Sequence, residues 1–128
     1  MAKTVAVLQM LARLLVVVQI LVGLAIWFGG AKSAVPFHSA AGSLFVLVVW
    51  IIAIIALFAL SRRTLPLITL LIAGVALWFG MAQTTLLVGA GHWAIRLAHL
   101  FVGLATMGLS ESLSKAVKLH DAVRSSAA

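Results

Sequence analysis

Cysteine is absent from this 128-residue chain. Disulfides, thiolate metal sites, iron–sulfur clusters and Cys-x-x-Cys-His attachment of a cofactor are thereby excluded. Acidic residues are nearly absent too: Glu111 and Asp121 are the only two, both near one end. No carboxylate lies within a long apolar run, which excludes carboxylate proton relays and carboxylate-bridged di-metal sites there. No glycine-rich phosphate loop and no Ser-His-Asp set is visible. No polar stretch is long enough to form a soluble domain.

What remains is 65% hydrophobic and 9% charged, with a mean hydropathy of +1.28. Such a composition cannot face water over most of its surface, and it points to the membrane class. A spanning helix takes about 20 apolar residues, and the chain has room for four. The expected fold is an all-α membrane protein, a four-transmembrane-helix bundle in a single domain over residues 1–128. The expected helices run over about 11–28, with Met1 to Met10 a short lead-in able to extend the first, then 36–60, 65–87 and 92–109, followed by a basic helical tail at 111–123. Gly29-Gly30, Ser61 to Thr64 and Gly89-Ala90-Gly91 supply the breaks. The only prolines, Pro36 and Pro66, each suit a first helical turn, where the missing N–H goes unused.

The net charge of +7 does not imply a nucleic-acid partner, because the basic residues sit at helix ends and meet lipid headgroups. With four spans, Lys3, Arg13, Arg62, Arg63, Lys115, Lys118 and Arg124 share one side, against Lys32 and Arg96 on the other. The positive-inside rule then predicts both termini in the cytoplasm of a bacterial-type inner membrane. The first apolar stretch carries no small-x-small cleavage site and is expected to insert and stay.

Gly23-Leu-Ala-Ile-Trp-Phe-Gly29 returns fifty-one residues later as Gly74-Val-Ala-Leu-Trp-Phe-Gly80. Each copy is followed by a histidine four residues before a glycine: His38 and Gly42, then His99 and Gly103. The chain thus reads as two tandem-repeated helical hairpins related by an axis along the membrane normal. That register predicts Gly29 level with Gly80 and His38 level with His99. The longer second connection predicts an outer cap over Met81 to Arg96.

An ionisable residue within a span is a functional hypothesis by default. Each histidine has a bland alternative, interfacial for His38 and interhelical bonding for His99, but neither explains the duplicated His-x-x-x-Gly. Two neutral imidazoles above and below an iron form a simple cage for haem b. Gly42 and Gly103, one turn along the same faces, would let the macrocycle lie against the backbone, although small-residue helix packing is a competing account. Arg96 shares a face with His92 and His99 and has no carboxylate nearby, so haem propionates are its expected partner; snorkelling is the alternative. His92 is expected to bond a propionate, bind a second metal or face water. His120 reads as a surface residue. Gln19, Gln83, Thr84 and Thr85 are candidates for lining the pocket, and Ser39 for bonding back to its own helix. Trp27 and Trp78 suit an aromatic belt or a cofactor flank. Met81 and Met107 are weak axial candidates.

At these residues the chain resembles one four-helix half of the haem A synthase family, or a small membrane b-type cytochrome built the same way. In that family, helices two and four of each half supply histidines on opposite sides of one haem. Gln19-Ile-Leu-Val-Gly23 resembles the Gln-x-x-x-Gly pattern of its odd helices. The resemblance implies that His38 and His99 are axial ligands. It does not extend to haem-methyl oxidation, because Val35 and Ser39 stand where the catalytic half has a glutamate and an arginine.

The expected function is electron transfer by a bis-histidine cytochrome b rather than an enzymatic reaction, with quinol or a redox protein as partner. One haem near one face cannot carry an electron across the bilayer, so a homodimer or a larger complex is expected. The alternatives are an accessory subunit of a respiratory or photosynthetic complex, a haem enzyme with an open iron site, and a small transporter. The last has too few polar residues to line a pore.

Overall fold

The computed structural model describes residues 1–127. Four helices follow one another: α1 (Ala2–Gly29), α2 (Val35–Ala59), α3 (Thr64–Ala82) and α4 (His92–Ser126), with a 3-10 turn at Lys32–Ala34 before α2. No strand occurs among the described residues. All four helices are long and apolar enough to cross a membrane.

Most breaks fall where the sequence places them. Gly30 takes the left-handed conformation (φ 65°), and its N–H bonds back to Ala25 to close α1. Pro36 sits in the first turn of α2, and Pro66 in that of α3. Three boundaries differ from the expected ones. Helix α3 stops at Ala82 rather than about 87, because both the N–H and the hydroxyl of Thr85 bond the Ala82 carbonyl. Beyond it, Leu87 and Gly89 have positive φ, which a right-handed helix does not accommodate. The expected cap over Met81 to Arg96 therefore shrinks to a loop over 83–91.

The other two differences share a cause. Helix α1 starts at Ala2 rather than about 11, and α4 runs unbroken to Ser126. Their far ends are zipped together. The Ala2 N–H donates to Asp121 Oδ2 at 2.6 Å, with the terminal ammonium 3.4 Å from the same oxygen. Arg13 grips Glu111 with two bonds, of 2.6 and 3.0 Å. At about 1.5 Å per residue, the 28 residues of α1 reach about 42 Å and the 35 of α4 about 53 Å, beyond the ~30 Å of a hydrocarbon core.

Helix α2 touches all three others, whereas α1 and α3 touch α2 and α4 but not each other. The cross-section is a diamond whose short diagonal is α2–α4. Val5, Ala12, Val49, Ile52, Ala53, Ala56, Ala73, Leu113 and Val117 are fully buried in its core. Phe28, Phe58, Met10, Leu71 and Phe101 point outward. Exposed apolar surface on every helix suits lipid and not water.

Burial also recurs at fixed separations. Gln9 and Ala12 in α1 lie fifty-seven residues before Pro66 and Thr69 in α3, and all four are buried. The buried residues of α4 (Thr106, Ser110, Leu113, Ser114 and Val117) each lie sixty-one residues after a buried residue of α2 (Phe45, Val49, Ile52, Ala53 and Ala56).

Gln9 is 1% exposed, and its Oε1 accepts from the Ser110 and Ser114 hydroxyls at 2.7 and 2.8 Å. Its Nε2 donates to Met107 Sδ at 3.9 Å. In lipid such bonds fix the register of neighbouring helices. A double-mutant cycle of Gln9→Leu with Ser110→Ala, read by reversible unfolding in detergent, should return a coupling of about 0.6–1.7 kcal/mol. A coupling of zero would show that the knot contributes no specificity between α1 and α4.

Candidate cofactor site

At the opposite end of the bundle from the Asp121 clamp, the helices enclose a cavity of about 470 Å³ lined by residues from all four. That is within the range of about 300–1,000 Å³ found for cofactor and ligand pockets. His38, the fourth residue of α2, and His99, the eighth of α4, both line it. They face one another across the short diagonal with ring centroids 6.4 Å apart and planes tilted by 58°. Nδ1 of each ring is buried and has no hydrogen-bond partner. A polar atom sealed in this way without a partner costs free energy unless something else engages the ring.

Each imidazole lies against a glycine of the neighbouring helix. A Cβ at Gly23 would come 3.2 Å from His38 Cε1, and one at Gly80 would come 3.2 Å from His99 Cε1. The two glycines that back the rings are therefore Gly23 and Gly80, fifty-seven residues apart. The fifty-one-residue string instead makes Gly29 the counterpart of Gly80, and a Cβ at Gly29 would meet nothing within 4 Å. The string match is out of register with the contacts, because its Gly, Ala, Trp and Phe suit many positions in an apolar helix.

The other expected site residues converge on the same cavity. Gly42, Gly103, Arg96 and His92 all line it. A Cβ at Gly103 would meet nothing, leaving open space there, whereas Gly42 faces the Gln19 side chain. Gln19 lines the cavity and donates from Nε2 to the His38 carbonyl at 2.7 Å. His92 opens α4 at the rim, with Nδ1 held 3.2 Å from the Leu86 carbonyl. Arg96 has no carboxylate partner among the described residues, since Glu111 binds Arg13 and Asp121 binds the N-terminus.

Some candidates separate from the site. Trp27 lines the cavity and stacks on Phe28, but Trp78 points outward, 58% exposed. Met81, Gln83 and Thr84 line the cavity, whereas Met107 belongs to the Gln9 knot and Thr85 to the turn after α3. The back-bond expected of Ser39 is made by Ser43, whose hydroxyl donates to the Ser39 carbonyl. No group of three or more His, Cys, Asp or Glu close enough to hold a metal ion occurs among the described residues. His38 and His99 form a pair, one side chain short of such a group. Sequence reasoning missed Phe79, whose ring stacks on His99 with centroids 6.1 Å apart and planes 12° from parallel. Its place next to Gly80 was the available signal.

Comparison with protein-family models, curated proteins and solved structures finds no match to this chain.

The glycine contacts predict a selective response in spectra of protein labelled at histidine Cε1. Gly23→Ala should move the His38 signal and leave that of His99, Gly80→Ala should do the reverse, and Gly103→Ala should move neither by direct contact. Equal movement of both signals in either glycine variant would contradict this packing.

Proposed function

We propose that this chain is an integral membrane cytochrome b that holds one haem b between α2 and α4, with His38 and His99 as axial ligands, and transfers electrons. The facing imidazole pair carries this reading. With ring centroids 6.4 Å apart, the two imidazoles could hold a haem iron between them. The open space beside Gly103 fits a planar group between the helices.

Bound there, haem supplies a one-electron couple. The protein's part is to hold and tune it. Gly23 and Gly80 let α1 and α3 close behind the imidazoles. Arg96 and His92, on the cavity rim, are suited to the propionates. Neither Nδ1 donates to a carbonyl or carboxylate among the described residues, so the imidazoles lack the partner that usually raises ligand basicity. Val35 and Ser39 line the cavity where an oxidising relative has ionisable groups. The resemblance to one half of haem A synthase supports the haem-holding role and not the oxidation.

In the same reading the chain is a duplicated hairpin. The matched burial of residues fifty-seven and sixty-one apart supports the duplication better than the fifty-one-residue string does. Both termini and the Arg62-Arg63 turn face the cytoplasm of a bacterial-type inner membrane, by the distribution of lysine and arginine. The haem then lies near the outer face, and quinol or a redox protein, in a homodimer or a larger complex, completes the electron path.

Reduced-minus-oxidised spectra of the detergent-purified protein test this directly. The wild type should show a sharp low-spin b-type α-band, and His38→Ala or His99→Ala should lose it or convert it to a high-spin form. A colourless protein that takes up no added haem would refute the cytochrome reading. Arg96→Ala should keep the low-spin band but weaken haem retention, by about 1–3 kcal/mol if a charged hydrogen bond is lost.

A further inference from the structure

Resting on the haem reading, we propose that the two ligands are unequal: His99 is the firm one, and His38 is exchangeable for a small neutral ligand of the carbon monoxide class. The two imidazoles are held very differently. His99 lies in the third turn of a 35-residue helix, and Phe79 stacks on its ring. His38 lies in the first turn of α2. Among the described residues, the one aromatic ring paired with His38 is that of His99.

The main chain around His38 is nevertheless fixed. Its carbonyl accepts from Gln19 Nε2 at 2.7 Å, which ties the first turn of α2 to α1. Like His99, the His38 ring has an unpartnered Nδ1, but no phenylalanine stacks on it as Phe79 stacks on His99, so it can rotate away without unravelling the helix. The hairpin that carries His38 also lines the cavity with Gln19, Ser39 and Ser43, which offer space and polar groups to an incoming ligand. The other hairpin contributes Gln83, Thr84, His92 and Arg96 alongside alanine and leucine side chains, so the difference between the two ligands rests on the Phe79 stack and on depth in the helix. Exchange breaks one iron–nitrogen bond and forms one bond to the incoming ligand. Both groups are neutral and no electron moves.

Carbon monoxide added to the ferrous holoprotein is the probe, followed by stopped-flow mixing and by flash photolysis of the adduct. The wild type should form an adduct whose rate levels off as carbon monoxide is raised, because departure of His38 becomes limiting. His38→Ala should bind without that plateau and give the same adduct spectrum, whereas His99→Ala should give a different one. Photolysis of the wild-type adduct needs no variant: the imidazole should compete with carbon monoxide for the iron, giving two recombination phases. A low-spin ferrous protein inert to saturating carbon monoxide would overturn the exchange and leave the haem reading intact. An adduct altered in His38→Ala but preserved in His99→Ala would overturn the assignment. A protein that holds no haem would overturn both readings together.

Discussion

Two imidazole nitrogens sealed in an apolar bundle without partners are the constraint around which the upper half of this fold is arranged. Each such group costs roughly 1–3 kcal/mol when left unpaired. Nothing in the local sequence relieves that cost for His38 or His99. Instead the surroundings conform to the rings: Gly23 and Gly80 withdraw their side chains, Phe79 covers one imidazole, and Gly103 leaves space beside the pair. An apolar bundle built only for packing would fill this volume with leucine and valine, as the lower half does around Val49, Ile52 and Leu113.

The lower half offsets this loosely packed upper end. Val5, Ala56, Leu113 and Val117 close a dry core, and beyond it the Arg13–Glu111 and N-terminus–Asp121 pairs clamp α1 to α4. Exposed pairs of this kind contribute little singly. Their effect is on register, because they fix which turn of α4 meets which turn of α1. Both carboxylate side chains are engaged there, so among the described residues Arg96 is a cation on the cavity rim without a side-chain anion.

The helices and most of their breaks are legible in the sequence, because Gly30, Pro36 and the Arg62-Arg63 turn act locally through backbone geometry and charge. The pairing of His38 with His99 is legible for a different reason: ionisable residues are so rare in these spans that two of them imply each other. The glycine register is not legible. Gly23, Gly29, Gly74 and Gly80 look interchangeable in the string, and only the neighbouring helix decides which two meet a ring. The Gln9 knot was hidden likewise, since its partners lie about a hundred residues away along the chain. Phe79 is one of six phenylalanines, and its one local signal is its place next to Gly80.

Positions sixty-one residues apart in α2 and α4 are buried alike, yet their chemistry differs. Phe45, Val49 and Ala53 are apolar, while Thr106, Ser110 and Ser114 carry hydroxyls. Two of those hydroxyls bond Gln9 and the third bonds its own helix at Val102. Lipid tails are as apolar as leucine, so apolar packing alone discriminates weakly between registers of α2 against its neighbours. A directional bond does not slide. The Gln9 knot therefore sets the height of α4 against α1, the first helix against the last. Through Gly23 on α1 and His99 on α4, it also sets the level at which the two imidazoles meet. The 6.4 Å gap at the top of the bundle is thus governed from the polar contacts at its base.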